Sequence, residues 1–127
     1  MRNNDIKNKI EYFKTRCRHY QKIFNMMDHE LFVEEIPSKD DDEKDRAWYA
    51  WNNEGRMITV FYSHRWISRN EVELVEVDRV ALHEIYESTM AEMREMLLAF
   101  YSRDYVDRVI HKNVRLIENA YLKKKGI

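Results

Sequence analysis

Arg56-Met57-Ile58-Thr59-Val60-Phe61-Tyr62 is the stretch whose reading decides the fold of this chain. It is rich in β-branched and aromatic residues and gives the strongest strand signal in the sequence. It argues against an all-helical bundle. Just before it, Asn52-Asn53-Glu54-Gly55 reads as a turn, with Gly55 suited to positive φ. Ala47 to Trp51 reads as a second strand on the other side of that turn. Further upstream, His29 to Ile36 reads as a third, with Leu31 and Val33 on one face and Phe32 on the other. Pro37 ends it. These strands are expected to form a small three-stranded antiparallel sheet with two short hairpin-like connections.

Helices flank the sheet on both sides in the chain. Asn4 or Asp5 can cap a first helix, in which Ile6, Ile10, Phe13 and Cys17 recur at helical spacing, followed by Tyr20, Ile23 and Phe24. It is expected to end near Asn25 to Asp28. Its other side carries Lys7, Lys9, Lys14, Arg16, Arg18 and Lys22 and reads as a solvated face. After the sheet, Trp66 is expected to plug the space between sheet and helix. Val77 to Tyr101 reads as one long helix with Leu82, Ile85, Tyr86, Met90, Met93, Met96, Leu97 and Phe100 on a broad apolar face. Ser102 or Asp104 caps a last helix, Tyr105 to about Lys124, with a stripe of Val106, Val109, Ile110, Val114, Ile117, Ala120 and Tyr121. The fold class is therefore α+β: an N-terminal helix, a three-stranded antiparallel sheet and two long C-terminal helices.

The bulk numbers bound the function classes. At 127 residues, residues 1–127 are expected to form a single domain. Hydrophobic residues make up 44 % and charged residues 35 %, a globular balance. The formal net charge of −1 gives no reason to expect a nucleic-acid partner. The single cysteine, Cys17, excludes an internal disulfide and any multi-cysteine zinc site. No apolar run reaches the roughly 18 residues a membrane span needs, and the N-terminus lacks the apolar core of a signal peptide. The expected setting is cytoplasmic, with no membrane partner. Ser38 to Asp45 holds five acidic residues in eight. It lacks the glycine and the downstream glutamate of a calcium loop and reads as a solvated loop.

Chemistry concentrates in Leu82-His83-Glu84-Ile85-Tyr86-Glu87. His83 and Glu87 are one helical turn apart and stack on the same side, so both can reach one divalent cation. On a helical wheel they fall at the border of the apolar face, where a cleft residue would lie. Glu84 points about 100° round the helix, placed as a general base for the attacking water. This is the logic of H-E-x-x-H with glutamate in place of the second histidine. A catalytic zinc takes three protein ligands and one open position. His111 on the last helix is the best third candidate. In a simple antiparallel hairpin it would sit roughly 15 Å away in level from His83, so a bend after Glu87 or a wide crossing angle is required. Glu118 is better matched in level and stays a candidate. Tyr86 or Arg94 could steady an oxyanion. A competing set, Glu84, Glu87, Asp104 and Asp107, would hold magnesium in a helical nucleotide pyrophosphatase. His19, His29 and His64 are isolated and read as surface or capping residues.

Several stretches together resemble one group of proteins. They are Tyr12-Phe13-Lys14-Thr15-Arg16-Cys17-Arg18, Gly55-Arg56-Met57-Ile58-Thr59-Val60, Asp78-Arg79-Val80-Ala81-Leu82-His83-Glu84-Ile85, Ile110-His111 and Arg115-Leu116-Ile117-Glu118-Asn119. In this order the chain resembles small phage-encoded SprT-like, zincin-type metallopeptidases. The resemblance implies a minimal zincin-like fold, zinc as cofactor, His83 and His111 as ligands and Glu84 as base. It implies a protein or peptide substrate in the host cytoplasm. Glu87 stands where zincins carry histidine. The alternative is a non-catalytic phage-type protein that binds and blocks a host protein with the same fold.

Overall fold

Asn3–Ile23 forms helix α1 in the computed structural model, which describes residues 3–42, 44–52 and 54–124, without the side chains of 123 and 124. Lys9, Phe13 and Cys17 recur every four residues, and with Tyr20 and Gln21 they form its buried side. Asn25 ends the helical region at φ 57°, a left-handed position that asparagine tolerates better than most residues. The expected solvated face holds only in part. Lys9 is 9 % exposed, and its Nζ donates to the Arg69 carbonyl at 2.8 Å. Arg16 turns inward to the buried carboxylate of Asp78, Nε to Oδ1 2.6 Å.

Three strands follow: β1 (Glu30–Glu35), β2 (Ala47–Asn52) and β3 (Met57–Tyr62). The order across the sheet is β1-β3-β2, with β3 central as its sequence demands. β2 runs antiparallel to β3, but β1 runs parallel to it, so the sheet is mixed and not purely antiparallel. The cause is the connection from Ile36 to Arg46, which is not a short hairpin. It is long enough to carry the chain from one side of β3 to the other. It includes a 3₁₀ turn at Ser38–Asp40 and is anchored by Asp41. That residue, expected in a solvated loop, is 6 % exposed. Its carboxylate accepts from Ser63 Oγ at 2.7 Å and from the Arg65 N–H at 3.2 Å.

Register places Leu31, Ile58 and Trp51 in one row across the sheet and Val33, Val60 and Tyr49 in the next. These residues form the face turned to the helices, and Ile58 and Val60 are fully buried. On the outer face Trp48 stacks on Phe61 at 4.2 Å. In the β2–β3 turn the positive φ belongs to Arg56 (48°) and not to Gly55. The turn is held by the Gly55 N–H donating to Asn52 Oδ1 at 2.9 Å.

A short helix α2 (His64–Ile67) is capped by Ser63, whose Oγ accepts from the Trp66 N–H. Trp66 is 3 % exposed and packs edge-on against Phe13, as the plug expected from its position. The run expected as one long helix is two: α3 (Leu74–Thr89) and α4 (Ala91–Leu98), broken at Met90. Ser88 Oγ and Thr89 Oγ1 each donate to a carbonyl three residues back, at 2.6 Å. Hydroxyls that bond backward in this way compete with the helical ladder and favour bending. The last helix, α5 (Arg103–Lys124), follows a cap in which Ser102 Oγ accepts from the Tyr105 N–H. It packs against both α3 and α4. No helix among the described residues is long and apolar enough to cross a membrane.

Candidate metal centre

Two stripes face each other where α3 and α5 meet. On α3, His83 and Glu87 stack one turn apart, and Nε2 lies 2.9 Å from Oε2. On α5, Val106, Ile110, Val114 and Leu122 form a buried stripe at four-residue spacing, and Glu118 occupies the missing place in it, 6 % exposed. The break at Met90 removes the straight helix on which the level mismatch rested. His83 and His111 come together, their ring centroids 5.9 Å apart. His111 Nε2 lies 3.6 Å from the same Glu87 oxygen that meets His83.

The second nitrogen of each ring is engaged. His83 Nδ1 donates to Glu118 Oε1 at 2.6 Å. His111 Nδ1 donates to the Asp107 carbonyl at 2.7 Å. A carbonyl can only accept, so the neutral His111 ring keeps its lone pair on Nε2. Ligating histidines are oriented by this type of outer hydrogen bond. His111 and Glu118 were rivals for one role, and the structure gives both a place. His111 faces the cluster, and Glu118 holds His83 from behind, with Arg79 3.8 Å from its other oxygen.

His83, Glu87 and His111 each offer one atom, all within 4.8 Å of one another, so this group could hold a metal ion. The donor set fits. Bonds of about 2.0–2.1 Å in a tetrahedral site put neighbouring ligand atoms about 3.3 Å apart. The two distances to Glu87, 2.9 and 3.6 Å, bracket that value. Two imidazoles and a carboxylate are a known three-ligand set for zinc that leaves one position open.

Charge is concentrated here. Burial opposes a proton on His83, but hydrogen bonds to Glu118 and Glu87 and the field of Glu84 outweigh it and raise its pKa to about 10. Nε2 must give up that proton before it can ligate a cation. Glu84 is 7 % exposed, with Oε2 4.0 Å from His83 Nε2. Burial pushes its carboxyl up to about 8, with His83 pulling it down and Glu87 adding to the rise. A carboxylate tuned close to neutral pH is suited to accept and return a proton.

The cluster opens into a cleft of about 800 Å³ between β2, α3, α4 and α5. Ala47, Trp48, Tyr49 and Trp51 form its strand wall, and Arg79, Arg94 and Arg115 contribute cations. Of the two residues expected to steady an oxyanion, Arg94 lines the cleft and Tyr86 is not among its lining residues. Tyr86 packs its ring on Phe24 at 4.9 Å. Arg94 Nε donates to Asp107 Oδ1 at 2.9 Å. The magnesium set fails as well, because the sheet excludes the all-helical fold and Asp107 is held by Arg94. The isolated histidines lie elsewhere: His29 pairs with Asp28 and His64 with Glu35. His19 meets the Tyr121 hydroxyl.

The role of Glu118 has a direct test. Glu118→Gln keeps the side-chain volume and removes the charge behind His83. Changing the group that a ligating histidine donates to costs about 10–100-fold in metal affinity. Zinc titration of the variant is expected to show a loss in that range at unchanged stoichiometry.

No family model, curated protein or solved structure matches this chain.

Proposed function

We propose that this protein is a zinc-dependent peptidase acting on extended polypeptide in a cytoplasmic setting. The observation that carries the reading is the buried Glu84 beside the His83, Glu87 and His111 cluster in a large open cleft. Zinc bound there supplies a Lewis acid for the scissile carbonyl and lowers the pKa of a coordinated water toward about 7. Glu84 takes a proton from the water as its oxygen attacks the carbonyl carbon. When the carbon–nitrogen bond breaks, Glu84 delivers that proton to the leaving amine. His83 and His111 stay oriented throughout by Glu118 and the Asp107 carbonyl.

The choice of polypeptide rests on β2. It is an edge strand, and its residues form one wall of the cleft. Such an edge can take a further strand through main-chain hydrogen bonds, a recurrent way of binding extended peptides. A substrate added at the free edge of β2 lies along the cleft that Glu84 also lines.

Zinc-loaded protein is expected to cleave an unfolded polypeptide such as casein. Glu84→Gln should keep its zinc and lose about 10²–10⁴-fold of the rate. A zinc-loaded wild type that binds polypeptide without cleaving it would instead support the reading of a non-catalytic protein that blocks a partner.

A further inference from the structure

The strand wall of the cleft contains a hydrogen-bond donor that the steps above leave unused. Tyr49 lies on the inward face of β2, in the row with Val60 and Val33, and lines the cleft. Its hydroxyl makes no hydrogen bond among the described residues, whereas His83, Arg94 and His111 around the same cleft are each paired. Its ring is half-buried. The charges it faces come from three helices: Glu87 and Glu84 on α3, Arg94 on α4 and Asp107 on α5. Two of these, Glu87 and Glu84, are the candidate ligand and the candidate base. Arg94 is already engaged by Asp107.

We infer that Tyr49 is a further catalytic residue, whose hydroxyl donates a hydrogen bond to the substrate carbonyl oxygen as negative charge builds on it. The inference rests on the peptidase reading. Donors held in place where charge develops are the most effective form of electrostatic stabilisation, because they need no reorganisation during reaction. Burial, reinforced by Glu87, holds the phenol pKa at about 12, so the group remains a donor at neutral pH. No proton leaves Tyr49 in this role.

The test uses acetohydroxamate, a small chelator whose carbonyl oxygen stands in for that of a substrate and needs no sequence preference. Zinc affinity and acetohydroxamate affinity are measured by calorimetry on wild type and Tyr49→Phe, which keeps the ring and removes only the hydroxyl. Zinc affinity is expected to be unchanged and acetohydroxamate affinity to fall about tenfold, the size of one hydrogen bond to a charged acceptor. Equal acetohydroxamate affinity in the two proteins overturns the assignment of Tyr49 and leaves the metal centre standing. A matching fall in zinc affinity overturns it too, since the residue would then support the ligands and not the substrate. Failure of the wild type to bind zinc overturns the peptidase reading itself, and this assignment with it.

Discussion

Asp78→Ala is expected to destabilise the protein by about 3–5 kcal/mol, the usual cost of removing one partner from a buried charge pair. Asp78 is 3 % exposed and accepts from Arg16 Nε at 2.6 Å and from the Tyr20 hydroxyl at 2.8 Å. Tyr20 is fully buried. Without the carboxylate, its hydroxyl and the Arg16 guanidinium both lose their main acceptor. The effect also bears on function. Asp78 and His83 lie about 140° apart around α3, so the pair with α1 fixes the rotation that turns His83 toward the cleft. Urea unfolding at neutral pH measures the loss. Replacing Arg16 and Asp78 together with apolar residues of similar size is expected to cost much less. A loss under 1 kcal/mol for Asp78→Ala would contradict this account of how α1 and α3 are locked.

Zinc is expected to stabilise the folded chain strongly. A ligand that binds only the native state adds about 4 kcal/mol at a thousandfold excess over its Kd. For a chain of this size that is a rise in Tm of roughly 10–15 °C. The unfolded chain scatters His83, Glu87 and His111, so binding and folding are coupled. Chelation should return the melting curve to its starting point. His111→Ala is the informative variant because the side chain is 41 % exposed. Its own effect on stability should be within about 0.5 kcal/mol, while the gain from zinc should largely disappear. Thermal melts of both proteins with and without zinc read the difference.

Much of this architecture can be read from local pattern. The spacing of His83, Glu84 and Glu87 fixes their relative directions on a helix, and the alternation in Met57–Tyr62 fixes a central strand. Pairing partners are less legible. The alternation of Leu31, Phe32 and Val33 is the same whether β1 runs parallel or antiparallel, so only the length of the Ile36 to Arg46 connection hinted at a crossing. The break at Met90 has neither glycine nor proline to announce it, though the adjacent Ser88 and Thr89 are the type of residue that bends a helix. That break decides whether His111 can meet His83. Glu118 left a clearer trace, as the one charged residue in the series Val106, Ile110, Val114, Leu122. Lys9 and Arg16 look like part of a basic face, because which of six cations turns inward depends on Arg69 and Asp78 far along the chain.

Zinc titration of the purified protein, with metal analysis after dialysis, is the most direct measurement of the central claim. The account predicts one equivalent of zinc in the wild type and, in His111→Ala, affinity lower by at least about 100-fold. No zinc retained by the wild type, or equal retention by His111→Ala, would contradict it.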